Sequence, residues 1–168
     1  SISVDVKDLD PTKEFKVYVK DNAGNIGVNN DSKENPLKIE LPTPEIDQYH
    51  DNVNNAEGGT EIIGNTGYSD DPSGLISGTI VLTEEDLKVV DSVRVYLYDN
   101  REKYIEIDKN DLVKGSDNTY RWTTKPGDLS KVTTTGKFAE GEVTLYAATY
   151  DKDSGSLSEL SPPFKVTI

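Results

Sequence analysis

Apolar and polar residues alternate along several short segments, and each segment ends in a turn-forming sequence. In residues 16–20, KVYVK, the alternation gives way to the polar sequence DNAGN at 21–25. A period of two is typical of a β-strand, because successive side chains point to opposite faces. Gly24 can take a positive φ and Asn25 can hydrogen-bond locally, so this loop is expected to connect two strands.

The same signals predict a series of short strands along the rest of the chain. They cover residues 46–53, 75–82, 92–98, 104–107, 119–123, 142–150 and 164–168. Only residues 84–90, EEDLKVV, place acids early and apolar residues at helical spacing, which predicts one helical turn in a loop. Seven short strands separated by turns predict an all-β protein with an immunoglobulin-like β-sandwich fold.

One hairpin pattern occurs twice. Residues 15–41 match residues 145–168 in residue class: the loop at Asp21 aligns with the loop at Asp151, and PLKIEL aligns with PFKVTI. The copies end 127 residues apart, a spacing that suits one sandwich repeat of somewhat more than ~100 residues. We therefore expect 1–41 to be the C-terminal part of a preceding Ig-like module, 42–48 to be a Pro-containing linker, and 49–168 to be a complete module.

The first 41 residues supply about three strands, too few to close a sandwich alone. They would have to pair with the second module, with another chain, or with residues outside this sequence. An unpaired strand edge favours association, so a dimer or strand exchange is an open alternative.

The composition of the chain limits the kinds of molecule that it is expected to bind. Lysine and arginine number 18 against 31 acidic residues, a net charge of −13 that disfavours nucleic acid and anionic membrane surfaces. Clustered carboxylates instead favour a hard cation such as Ca2+. Cysteine is absent, which excludes disulfides and thiolate chemistry, and no apolar run is long enough to span a bilayer. With no signal peptide and no initiating methionine, the chain is expected to be a segment of a longer protein.

A series of motifs then suggests a family. In order along the chain these are DNV at 51–53, GYSDDPSGLISGT at 67–79, VYLYDN at 95–100, TYRWTT at 119–124, GEVTLYAATYDKDSGSLSE at 141–159 and PFKVTI at 163–168. This order resembles the Ig-like repeats of large bacterial surface adhesins, of the biofilm-associated and type I secreted kind. The resemblance implies a repeated module of an extracellular rod on the bacterial cell surface, with neighbouring modules of the same chain as partners.

Carboxylates are expected to meet where one module joins the next. In an Ig-like sandwich the loop between the last two strands lies at the end where the chain enters. We expect the acids of this loop and of the neighbouring segments to bind Ca2+ there and to stiffen the joint. The alternative is that they are solvated loop residues. The predicted ligands are Asp8, Asp10, Glu45, Asp47, Glu84, Asp86, Asp151 and Asp153, with Asp91 close by.

The sequence offers two further candidate sites. Asp51, Asp70, Asp71 and Asp99 form a second cation candidate at the opposite end, although Asp-Asp-Pro is also an ordinary turn sequence. Arg121 beside Tyr120 could bind a glycan or host protein, with the guanidinium holding a carboxylate. Alternation, however, places Arg121 on one face and Tyr120 with Trp122 on the other. Trp122 is expected in the core, as are the tyrosines at 96, 98, 146 and 150.

Catalysis has little support. His50 is the only histidine, and no nucleophile elbow, phosphate-binding loop or HExxH motif occurs. The sequence therefore favours a non-enzymatic stalk module of a bacterial surface adhesin, stiffened by Ca2+. The alternatives are a ligand-binding adhesin module and an accessory module of a secreted multidomain enzyme.

Overall fold

The computed structural model describes residues 17–20, 26–29, 40–53, 59–98 and 100–168. The chain divides into two units, Ser1–Glu40 and Leu41–Ile168. In the first unit, β1 (Val17–Lys20) pairs antiparallel with β2 (Ile26–Asn29), with Lys20 opposite Ile26. The predicted strand before the DNAGN loop is therefore present, whereas residues 21–25 and the Asp8 and Asp10 positions lie outside the described residues.

The second unit contains two sheets. The first has the order β4-β3-β6-β10-β9. Its strands are β3 (Glu45–Asp51), β4 (Glu61–Ile63), β6 (Leu75–Val81), β9 (Val113–Lys114) and β10 (Thr119–Thr123). Every neighbouring pair in this sheet is antiparallel.

The second sheet has the order β5-β13-β11-β7-β8, and a short β12 also pairs with β11. The pair β5–β13 is parallel, whereas the other pairs are antiparallel. The strands are β5 (Gly67–Tyr68), β7 (Ser92–Leu97), β8 (Ile105–Asp108), β11 (Glu142–Asp151), β12 (Ser156–Leu157) and β13 (Phe164–Thr167).

This strand order is that of an immunoglobulin-like sandwich. β3, β6, β10 and β9 follow one another as A, B, E and D, while β13, β11, β7 and β8 follow as G, F, C and an added C′ strand. The predicted all-β sandwich is therefore confirmed. The only α-helix among the described residues is α1 (Glu84–Val89), and it lies within the predicted turn at 84–90. No described helix has the length and apolar character needed to cross a membrane.

The core lies between the two sheets. Alternate residues of the longer strands point into it, as Val93 and Val95 do on β7, and its largest side chains are those of Trp122 and Tyr49, both fully buried. Trp122 and the partly buried Tyr120 belong to this inward face, as their spacing predicts.

The predicted linker at 42–48 differs from what the structure shows. Glu45 to Gln48 belong to β3 and pair with β6, while Leu41 and Pro44 are buried in the second unit. Pro42 and Pro44 have no backbone N–H to donate to a neighbouring strand, so they keep only the residues up to Pro44 out of the sheet. Strand β3 begins at the next residue, Glu45. The described chain thus enters the second unit at Leu41.

Candidate functional site

The two ends of the second unit can be located along β11. At the entry end, the Thr149 hydroxyl donates to the carbonyl of Pro42 at 2.7 Å. At the exit end, Thr167 pairs with Glu142, and Ile168 exchanges backbone hydrogen bonds with Gly141 at 2.9 and 3.0 Å. Thr149 and Glu142 are seven residues apart on one strand, or roughly 23 Å at ~3.3 Å per residue. The chain therefore enters and leaves this unit at opposite ends.

Strands β5 and β13 form a connection near the exit. The Thr66 N–H donates to the carbonyl of Lys165 at 2.7 Å, and the Ser69 N–H donates to that of Thr167 at 2.8 Å. The Lys165 N–H donates to Asn65 Oδ1 at 2.8 Å. Because the strands run parallel, a pull along them loads these hydrogen bonds together rather than one after another.

Gly67 allows β5 to lie in this position. A Cβ at Gly67 would be 2.5 Å from Cγ2 of Ile63, closer than two carbon atoms can approach, and 3.0 Å from the carbonyl oxygen of Gly64, which is a tight contact. At Gly64 a Cβ would meet no atom within 4 Å. The two glycines thus differ in what they tolerate, although they lie three residues apart.

At the entry end, the acids of the last loop serve as turn formers. Asp151 is buried, and its Oδ1 accepts from the Asp153 N–H at 3.0 Å while its Oδ2 accepts from the Ser154 hydroxyl at 2.9 Å. Gly155, with φ +70°, completes the turn into β12. Asp91 accepts from the Lys152 N–H at 2.8 Å and so joins this loop to the start of β7.

The helix acids at the same end have a capping role. Thr83 Oγ1 accepts from the Asp86 N–H at 3.1 Å, and Asp86 Oδ2 accepts from the Thr83 N–H at 2.9 Å. This reciprocal capping box, with Glu84 and Glu85 in the first turn, starts α1. Asp86 is therefore already engaged as a helix cap.

Asp47, another predicted cation ligand, faces a different partner. The register of β3 against β6 shifts between Ile46 and Gln48, so Asp47 is the extra residue of a β-bulge. Its two carboxylate oxygens accept from Nη1 and Nη2 of Arg121 at 2.9 and 3.0 Å, across the intervening strand β6. Arg121 lies opposite Tyr120 and Trp122 as predicted, but its guanidinium fork is filled by Asp47. A ligand carboxylate would have to displace that residue.

The predicted cation ligands that the structure describes lie towards this end without forming a cage. Glu45 and Glu84 are exposed there, but among the described residues no group of three or more acids or histidines is placed to hold a metal ion. The Ca2+ site remains a prediction based on residue type and location.

The second acidic group, at the exit end, is a buried hydrogen-bond network. Asp51 Oδ2 accepts from the Ser69 hydroxyl at 2.7 Å and from the Asp70 N–H at 3.2 Å, while Asp71 Oδ2 accepts from the Asn52 N–H at 2.9 Å. Burial by itself would raise the pKa of Asp51, but these donors and the Val53 N–H outweigh it and lower the pKa. The network contains three of the four acids expected together; Asp99 lies outside the described residues.

Tyr49 links that network to the core. Its hydroxyl donates to the carbonyl of Asp71 and accepts from the Gly74 N–H at 2.9 Å. Burial, assisted by the nearby carboxylates of Asp71 and Asp51, raises the pKa of Tyr49 against the opposing effect of the Gly74 N–H. The exit-end acids are thus held by a neutral tyrosine and by backbone donors.

His50 lies on the outer face of the first sheet, where Nε2 is 3.0 Å from Oε1 of Gln48. Burial and the positive charge of Arg121 lower its pKa, and Asp47 only partly opposes them. His50 is therefore held neutral as part of the sheet surface.

Of the four tyrosines predicted to be buried in the core, Tyr96 is buried, at 1% exposure, although not between the two sheets, and the prediction is wrong for the other three. Tyr96, Tyr146 and Tyr150 lie on the outer face of the second sheet, since the intervening residues of β7 and β11 supply the core. There the Arg94 guanidinium is sandwiched at 3.9 Å from the ring centre of Tyr104 and 3.5 Å from that of Tyr150. Arg94 Nε also donates to Glu106 Oε2 at 3.0 Å, so the guanidinium is held by an ion pair as well as by the two rings.

Tyr98, the fourth of these tyrosines, is 54% exposed and has φ +54°. Its position after the alternating residues of β7 suggested another buried side chain, and no sequence signal marks a left-handed tyrosine. The left-handed backbone is what turns it out of the sheet.

Comparison with known proteins assigns no family. No protein-family model and no curated protein matches this chain.

Proposed function

We propose that this chain is a non-enzymatic stalk segment of a bacterial surface adhesin, and that its Ig-like unit transmits tension between its two ends. The observation that carries the proposal is the location of entry and exit at opposite ends of β11, at Thr149 and Glu142. A module with this geometry adds its length to a rod when it is joined in series with others. The order of sequence motifs supports the adhesin assignment.

The parallel pair β5–β13 supports the mechanical part. A pull on Ile168 draws β13 towards the exit, while a pull on the entering chain draws β3, β4 and then β5 the opposite way. The ladder around Val166 and Gly67 is then sheared, and its hydrogen bonds must break together. Each such bond contributes only about 0.5–1.5 kcal/mol at equilibrium, but simultaneous loading makes the pair resist force.

Calcium completes the proposal at the entry end. Ca2+ accepts six to eight oxygen ligands with loose geometry. Glu45, Glu84 and Asp153 bring exposed carboxylates to that end, and Asp8 and Asp10 are expected to supply others from the first unit. The ion would limit bending at the joint.

Single-molecule pulling with matched glycine variants tests the tension-bearing function. Gly67→Ala should lower the force of mechanical unfolding, because the new methyl group clashes with the Ile63 side chain and so shifts β5 from its position beside β13. Gly64→Ala should keep the wild-type force, because its methyl group meets open space. If both variants unfold at the wild-type force, the β5–β13 pair does not bear the load and the proposal is wrong.

A further inference from the structure

A groove of about 420 Å³ opens at the exit end, between the turn after β7 and the loop at residues 132–140. Its floor contains the buried side chains of Val132, Phe138 and Val143. The volume lies within the range of small-molecule sites, ~300–1,000 Å³. This Tyr98 groove is distinct from Arg121 and from the predicted cation ligands.

Tyr98 forms one wall under constraint. Its N–H donates to the carbonyl of Thr144 at 2.9 Å, and its hydroxyl donates to the carbonyl of Glu142 at 3.1 Å. The backbone is left-handed, a conformation that costs free energy for a bulky residue and that clusters at functional sites. Tyr98 is therefore held both by its backbone and by its hydroxyl group, while about half of its surface remains exposed.

The opposite wall is fixed as well. The Phe138 N–H donates to the carbonyl of Pro72 at 2.7 Å, and the Phe138 ring lies 6.2 Å from that of Tyr49. The Thr133 hydroxyl donates to the carbonyl of Leu129 at 2.7 Å. A groove with both walls held in this way is preformed, so a ligand would pay little to order it.

The rim has hydroxyl groups and balanced charge. Thr134 and Thr135 are exposed beside one lysine, Lys137, and one free-standing acid, Glu140. The second acid, Glu142, forms an ion pair in which its Oε1 lies 3.5 Å from Nζ of Lys165. On a chain of net charge −13 the groove is therefore locally neutral, and the protein as a whole repels anions.

We propose that the Tyr98 groove binds a neutral oligosaccharide. A sugar ring has an apolar C–H face, which would stack on the Tyr98 ring, and hydroxyl groups, which would meet the Thr134 hydroxyl and the Glu140 carboxylate. Charge balance disfavours uronic or sialic acids, and the hydroxyl groups of the rim match those of a sugar better than an apolar peptide side chain. This inference does not depend on the stalk function.

The test is isothermal titration calorimetry, in which the whole chain is titrated with neutral glucan, galactan, mannan and N-acetylglucosamine oligosaccharides. Tyr98→Gly removes the ring and favours the left-handed backbone, so the variant should fold. Tyr68→Ala is the control, because Tyr68 is 78% exposed but lies outside the groove. Circular dichroism and thermal unfolding establish that both variants are folded.

At least one neutral oligosaccharide should bind, with affinity reduced at least about tenfold in Tyr98→Gly and unchanged in Tyr68→Ala. Three results would overturn the proposal. These are no binding at millimolar sugar, binding that folded Tyr98→Gly retains, and binding only of sialylated oligosaccharides or of peptides tested in parallel.

Discussion

Gly78 is the position where the smallest substitution should cost most. It lies on the inward face of β6, opposite both Trp122 and Ile46. A Cβ there would be 1.8 Å from the carbonyl oxygen of Glu45 and 2.4 Å from Cζ2 of Trp122. Since carbon contacts are normally at ~3.5–4.0 Å, Gly78→Ala must displace a backbone carbonyl as well as the indole.

The expected cost follows from that overlap. Overpacking a filled core costs typically 1–3 kcal/mol, and a contact with backbone belongs at the upper end, about 3 kcal/mol. The unit Leu41–Ile168 should unfold with an entropy near 2.1 cal/mol/K per residue, or about 0.27 kcal/mol/K. Gly78→Ala should therefore lower Tm by about 11 °C.

Thermal unfolding followed by the fluorescence of Trp122, the only tryptophan, measures this change at the site of the clash. The emission of folded Gly78→Ala should also differ from wild type, because the indole must move. Gly64→Ala is the control, and its free energy of unfolding should differ from that of the wild type by less than about 1 kcal/mol. A Tm loss of less than about 3 °C in Gly78→Ala would refute the close approach of the Glu45 carbonyl and of Trp122 to Gly78.

Three other perturbations probe separate parts of the molecule. The pKa of His50 is lowered below 6.5, so the unfolded chain binds its proton more readily, and stability is lost as pH falls from 6.5 through the lower folded-state value. His50→Gln should therefore lose less Tm than wild type between pH 7.5 and pH 5, and equal losses would contradict this. Thr83→Ala removes the capping box and should cost about 1 kcal/mol in urea unfolding, whereas Thr83→Ser should restore it; an Ala variant as stable as the Ser variant would show that the cap does not matter. Replacing EDTA by millimolar Ca2+ should raise Tm by several degrees, as expected of a ligand bound only by the folded state, and Asp151→Asn or Asp153→Asn should remove the rise. Equal Tm values in Ca2+ and EDTA would leave these acids as turn formers.

Periodicity predicts much of this fold because most strands have one clear apolar face. The strand at Thr119–Thr123 is predicted with its observed bounds, and Trp122 points inward as alternation requires. The pattern fails on β11, where small and apolar residues occupy both faces. Alternation then indicates a strand but not which side is buried, so it wrongly predicts that Tyr146 and Tyr150 lie in the core.

Short strands and long-range pairs escape the same reasoning. The two-residue β5 has no measurable period, and its partner β13 is about 100 residues away. The strand pair on which the proposed tension-bearing function depends therefore has no local signal in the sequence. The only hint is Gly67 in the motif GYSDDPSGLISGT, because a glycine in a strand can mark a close approach of another part of the chain. The sequence does not show that the approaching residue is Ile63.

The sequence predicts at which end of the unit the candidate site residues lie, but not which residues they contact. Chain order places Glu45, Glu84 and Asp151 at the entry end, and the structure places them there. Sequence could not show that Asp47 belongs to a β-bulge and binds Arg121, because the register shift depends on the pairing of β3 with β6. Tyr98 was likewise visible only from its backbone angle.

Pulling in two directions tests the central claim most directly. The chain has no cysteine, so introduced cysteines give unique handles. Handles at exposed Glu40 and at the C-terminus load β5 and β13 in shear, whereas handles at exposed Glu140 and at the C-terminus separate β13 from β11 bond by bond from the exit end. A tension-bearing module should unfold at a clearly higher force in the first direction than in the second. Equal forces in both directions would contradict the assignment of this unit to a stalk under load.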